Sequence, residues 1–241
     1  MRFRILVVNI LSAALCLLSA AIFTCAQDVN NTKQNVRPSA PHTAAVVEAK
    51  LNQTKYSYEF LQPKFFVKHI LLQHDSGGHG TVTFERLNED VPVTETLQLS
   101  PAALSRIISL WAELHFLDSN TNYQSSQQFA HLGTMRISME TPSRKRVAEF
   151  NWTHNQAAAA LVNEYRRAAD QVILVFDISV ARENQPLNAP KLMEVLESML
   201  KRNALSDPYQ FLPLLQELSS DEHIPLIARN HALRLIKQIQ K

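Results

Sequence analysis

The sequence predicts an α+β fold: an antiparallel sheet of about five strands covered by two helices, then a small all-helical segment at the C-terminus. Three observations carry this. Alternating apolar runs flank short turn clusters, as in hairpins. Two stretches, after Ser100 and after Thr153, carry apolar residues at helical spacing. Beyond Pro190 the chain holds only helical patterns, and Pro190, Pro208 and Pro225 each open one, which suits a first helical turn.

The elements follow in order from about Tyr56. Phe65 to Gln73 is rich in β-formers, and Asp75-Ser76-Gly77-Gly78 is a turn cluster. Thr81 to Glu85 alternates, with Val82 and Phe84 on one face, and closes a hairpin. Val93 to Leu99 gives a third strand. Ser100-Pro101 reads as an N-cap followed by a first-turn proline, and Leu104, Ile107, Ile108, Trp111 and Leu114 mark one buried stripe. Asp118 to Gln128 is polar and predicts a loop. Gly133 to Glu140 and Val147 to Trp152 predict a second hairpin turning at Thr141-Pro142-Ser143, with Trp152 and Trp111 as core residues. Thr153 and Gln156 have capping-box spacing. The helix after them buries Ala158, Leu161, Val162, Tyr165, Ala168, Ala169 and Val172. Residues 56–180 therefore form the α+β domain, 181–189 a polar joint and 190–241 the helical segment, with helices over 190–203, 208–218 and 225–240. Tight hairpins make the sheet antiparallel, and its apolar face needs the two helices as cover.

The N-terminus predicts export. Arg2 and Arg4 precede an apolar run from Ile5 to Phe23, and Thr24 and Ala26 suit the positions read by a signal peptidase. Residues 1–26 are read as a signal peptide, which places the mature chain in a periplasm or outside the cell. An uncleaved membrane anchor is the alternative, because the apolar run is just long enough to span a bilayer. Neither Cys16 nor Cys25 has the context of a lipid-anchored cysteine. Residues 27–55 are polar, with Pro38 and Pro41, and predict a disordered spacer. Asn30, Asn52 and Asn151 head glycosylation sequons, used only in a host that glycosylates its exported proteins.

These boundaries exclude several function classes. Both cysteines fall in the signal, so a cleaved chain has no disulfide, thiol nucleophile or Cys-ligated metal. A hydrophobic core must hold it, and roughly 190 residues suffice for one. The chain has 24 Lys+Arg and 22 Asp+Glu; losing Arg2 and Arg4 makes it formally neutral. That gives no electrostatic footprint for nucleic acid. The short basic runs Arg144-Lys145-Arg146, Arg166-Arg167 and Lys201-Arg202 read as solvated turns and helix faces. No Gly-rich phosphate loop occurs, and no cofactor is expected.

The candidate chemistry concentrates in one turn. Asp75-Ser76-Gly77-Gly78 resembles the nucleophile segment of chymotrypsin-like proteases, and His74 and His79 flank it. His74 stands where that motif has Gly, however, and too little chain precedes Ser76 to supply a triad His and Asp. His74, Asp75 and His79 bracket the turn and are the metal-ligand candidates, since imidazole with carboxylate suits Zn²⁺, Ni²⁺ or Cu²⁺. His69 points to the face opposite His74. Glu89-Asp90 and Asp221-Glu222 are adjacent carboxylates in loops, not a pair facing a cleft. His115, at the edge of the core, His154, at a helix start, and His231, among apolar residues, lack Ser or Asp partners and read as structural.

Two resemblances add to this. Phe211 to Leu215, Leu218, Asp221, and Ile224 through Ala228-Arg229, Ala232, Leu235-Ile236 and Ile239 resemble a HEAT-type helical pair, with Asp221 at the turn and Arg229 in the second helix. One such unit cannot bury its faces alone, which implies docking on the preceding helix and the sheet domain, or on a partner. The stretches 176–186 (FDISVARENQP) and 224–232 (IPLIARNHA) resemble a family of uncharacterised exported proteins of soil bacteria, notably acidobacteria. That second resemblance implies no activity and assigns no functional residue. The functional expectation is an exported, non-catalytic binding or structural module. It would contact a protein partner through its last two helices, with Arg229 and His231 as polar contacts. The rival is a metal-dependent or serine hydrolase built on His74, Asp75, Ser76 and His79.

Overall fold

A computed structural model describes residues 54–241. The expected signal peptide, most of the spacer and the sequons at Asn30 and Asn52 lie outside the described residues. The sheet is antiparallel throughout and has six strands rather than five: β1 (Lys55–Leu61), β2 (Val67–Asp75), β3 (His79–Arg86), β4 (Val93–Gln98), β5 (Thr134–Glu140) and β6 (Lys145–Phe150). Their order is β4-β3-β2-β1-β5-β6.

The additional strand, β1, occupies the middle of the sheet. Its residues alternate: Tyr56, Tyr58 and Phe60 are buried, while Lys55, Ser57 and Glu59 face outward. It pairs Tyr58 with Leu72 on one side and with Ile137 on the other. A four-strand meander thus runs from β1 to β4. The helix α1 (Pro101–Glu113) then crosses one face, and the second hairpin adds on the far side of β1. Gly80 faces a close approach in this meander: a Cβ there would lie 1.8 Å from the Gln73 carbonyl oxygen.

Helix α1 starts as its sequence requires. Ser100 caps it by accepting from the Ala103 N–H, and Pro101 sits in the first turn. Ile107, Trp111 and Leu114 are buried. The long helix α2 (Gln156–Asn184) is capped by Asn155, whose Oδ1 accepts from the Ala158 N–H at 2.9 Å. The expected Thr153 cap is displaced by two residues; Thr153 Oγ1 accepts instead from the Asn155 N–H. Trp152 also departs from expectation. It is 40% exposed and packs edge-on against Phe129, because the strand ends before the alternation reaches it.

Helices α3 (Ala189–Lys201), α4 (Leu212–Ser220) and α5 (Leu226–Ile239) complete the chain, with a 3-10 turn over Pro208–Phe211 before α4. The expected joint at 181–189 does not separate two bodies. Residues 181–184 continue α2, and that helix serves two cores. Ala157 to Ile173 pack into the sheet core, while Leu174 and Ile178 pack with Met193, Leu196, Phe211, Leu215, Ala228 and Leu235. The boundary between the cores therefore falls inside a continuous helix. Polar clamps reinforce it: Arg106 reaches Glu164 and the Ser206 carbonyl, Arg167 reaches the Leu205 carbonyl, and Gln210 donates to the Gln98 carbonyl.

Candidate interaction surface and the histidine turn

The turn cluster folds as a hairpin, but its candidate ligands diverge. Asp75 Oδ1 accepts from the Gly77 and His79 N–H groups at 2.8 and 3.0 Å, and these bonds hold its carboxyl below the usual range although burial opposes them. Asp75 is thereby the internal brace of its own turn. His79 is exposed, with Nδ1 3.7 Å from Asp75 Oδ1. His74 faces the other way. It pairs across the hairpin with Gly80, on the core face, and stacks on Tyr56 with ring centroids 5.0 Å apart.

Both His74 nitrogens are engaged. Nδ1 lies 2.6 Å from the Asp75 carbonyl oxygen, which can only accept, so Nδ1 carries the hydrogen. Nε2 then accepts from the Tyr165 hydroxyl at 2.9 Å, and that hydroxyl accepts from Trp111 Nε1 at 2.8 Å. Burial pushes the His74 titration below its ordinary 6.5 and the Tyr165 hydroxyl far upward. The result is a closed, satisfied core network in which no nitrogen of His74 is left for a metal or for Ser76. Ser76 makes no hydrogen bond to either histidine among the described residues. Nor do those residues contain a group of three His, Cys, Asp or Glu side chains placed to hold a metal ion. The structure thus separates His74, Asp75 and His79 into a core group, a turn brace and a surface side chain.

The open face of the sheet carries a ladder of alternating charge. Lys68, Glu85, His69, Glu59, Arg136 and Glu149 bond in that order across β2, β3, β1, β5 and β6. His69 bridges the two acids, 3.0 Å from Glu85 and 2.9 Å from Glu59. Every member already has a partner, so the ladder reads as cross-strand pairing. The basic runs are likewise bonded rather than merely solvated. Arg146 donates to the Phe116 and Thr121 carbonyls, and Arg166 grips Asp170. His154 is exposed at the start of α2. His115 is exposed rather than at the core edge; it closes α1 in the left-handed region, at φ 42°.

The C-terminal helices are different. At the turn between α4 and α5 the Asp221 carboxylate accepts from the His223 N–H and from Arg182, which holds it down to about 2. His231 is only 6% exposed and its Nε2 bonds Glu197 Oε2 of α3 at 3.0 Å, so it ties α5 to α3. Arg229 is half-buried, its Nε is buried without an acceptor, and its guanidinium bonds no described residue. Beside it, Leu226, Ile227 and Leu233 are 61%, 65% and 45% exposed. Leu226, Asn230 and Leu233 stand at helical spacing and form an outward stripe opposite the buried Ala228, Ala232 and Leu235. Sequence reasoning had marked Arg229 but not this stripe. Spacing puts Leu226 and Leu233 on one face, but only packing against α3 and α4 decides that this face stays outside. No helix among the described residues is long and apolar enough to cross a membrane.

Comparison with known proteins gives no assignment: no protein-family model and no curated protein matches the chain.

Proposed function

We propose that the chain is an exported, non-catalytic interaction module that engages a protein partner through its C-terminal helices, with the outer face of α5 as the contact. The observation that carries this reading is Arg229. Its Nε is buried with no acceptor among the described residues, which costs about 1–3 kcal/mol, and the residue flanks a stripe of three exposed aliphatic side chains. A partner that covers the stripe and supplies an acceptor relieves both at once. The HEAT-type reading of α4 and α5 agrees, since such pairs are stacked on both sides and this one meets α3 on one side only. His231 supports the surface from beneath rather than touching the partner.

The test is chemical crosslinking in intact cells, comparing the full chain with a Leu226→Ser, Ile227→Ser, Leu233→Ser variant. These side chains are outside the core, so the variant retains its far-ultraviolet circular dichroism and its unfolding midpoint. Loss of the crosslinked species with the fold intact supports the reading; an unchanged crosslinking pattern refutes it.

A further inference from the structure

The charges of α5 are all of one sign. From Leu226 to the C-terminus the chain carries Arg229, Arg234, Lys237 and Lys241 and no Asp or Glu. None of the four has an ion-pair partner among the described residues, although Lys201 and Arg182 on α3 and α2 are paired. Projected around the helix at 100° per residue, Asn230, Lys237 and Arg234 share the outward sector with Leu226 and Leu233. Arg229 lies on the flank. Basic side chains therefore interleave with and border an apolar stripe. The acids nearest this helix are already committed: Asp221 holds Arg182 and His223, and Glu197 holds Lys201 and His231. Glu222, at the turn before the helix, is exposed.

We infer that the partner segment covering α5 is an acidic amphipathic helix, with aliphatic side chains meeting Leu226, Ile227 and Leu233 and carboxylates meeting Arg229, Arg234 and Lys237. This inference rests on the proposed function and adds the chemistry of the partner. Three features select a helix with carboxylates. Residues 226, 230, 233 and 237 form a ridge and groove of helix–helix packing spacing. A carboxylate's two oxygens match the fork of N–H groups that a guanidinium donates. Asn230, in the middle of the stripe, opposes insertion into hydrocarbon but can bond a partner side chain. A lipid surface of the same charge is the competing occupant, and the experiment separates the two.

A photoreactive residue placed at Asn230 of the full chain is activated in cells, and the captured peptide is sequenced. The same capture is repeated with Arg234→Glu, Lys237→Glu. The expected result is a protein segment with net negative charge and aliphatic residues at helical spacing. Capture should fall by about tenfold or more on charge reversal, because reversed charges repel the partner. Binding of the purified chain to phosphatidylglycerol vesicles, tested by flotation, is expected to be absent. The inference is overturned if the captured segment is neutral or basic, if charge reversal leaves capture unchanged, or if only the vesicles bind. The proposed function stands in the first two of those cases, and falls with the inference if Asn230 captures no protein.

Discussion

His74 shows how a residue's chemistry is set by what it meets, not by its neighbours in sequence. As a letter beside Asp75, Ser76 and His79 it suggested a ligand or a base. In the fold it belongs to a network with Tyr165, 91 residues along the chain, and through Tyr165 with Trp111, itself 54 residues from that tyrosine. Strand alternation separates His69 from His74, and that much was legible. The hydroxyl that claims Nε2 was not, because it arrives from a helix on the other side of the core. Two expectations belong here. Tyr165→Phe leaves Trp111 Nε1 and His74 Nε2 unpartnered, at about 1–3 kcal/mol for each group, measured by urea unfolding. His74 stays neutral with the hydrogen on Nδ1, and titrates below 6.5. Below 6.5 the unfolded chain takes up a proton that the folded chain refuses. The His74 contribution to stability is thus full above that pH and declines as pH falls toward the folded value. Nitrogen-15 spectra of the ring check this. A charged ring at pH 6.5, or hydrogen on Nε2, contradicts it.

At the scale of elements, most of the secondary structure could be read from periodicity, and the exceptions have physical reasons. β1 escaped because its alternation, Tyr56, Tyr58, Phe60, begins directly at the end of a polar stretch, with charged and hydroxyl residues on its outward side. The Thr153 cap was displaced because Asn155, two residues on, is an equally good acceptor. The joint at 181–189 looked like a linker because it is polar and holds Pro186. Yet the first residues of that stretch continue a helix whose inward face, through Ile178 and Ala181, is still buried. Two substitutions test the consequence. Leu161→Ala in the sheet core and Ile178→Ala in the helical core each cost about 2–5 kcal/mol. Because α2 belongs to both cores, both substitutions shift one common transition. Trp111 and Trp152 report the sheet side by fluorescence, and circular dichroism reports the helices. If Ile178→Ala lowers the dichroism midpoint while leaving the fluorescence midpoint in place, the two cores unfold separately and the shared-helix account fails. A Gly80→Ala substitution forces the β2–β3 backbones apart against the Gln73 carbonyl, and a loss of about 2 kcal/mol or more is expected in the same assay.

At the scale of the whole molecule, the charges and apolar groups divide by surface. The open sheet face pairs its charges internally, and the histidine turn spends its polar groups on itself. Among the described residues, the outer face of α5 leaves both its basic and its aliphatic side chains unmet. That contrast, rather than any catalytic constellation, is what favours an interaction module. Arg229 could be singled out from sequence because it stood at a marked place in a helical pair. His231 was singled out with it, but lies one helical face away and is spent on Glu197. The apolar stripe needed the fold, since only packing against α3 and α4 shows which of α5's aliphatic residues are left outside.

The most direct measurement is a scan of photoreactive residues along α5, each tested in cells in the full chain. Capture of a partner is predicted at Leu226, Asn230, Leu233 and Lys237, and none at Arg136 on the open sheet face. Capture without helical periodicity, or capture chiefly from Arg136, would contradict this prediction.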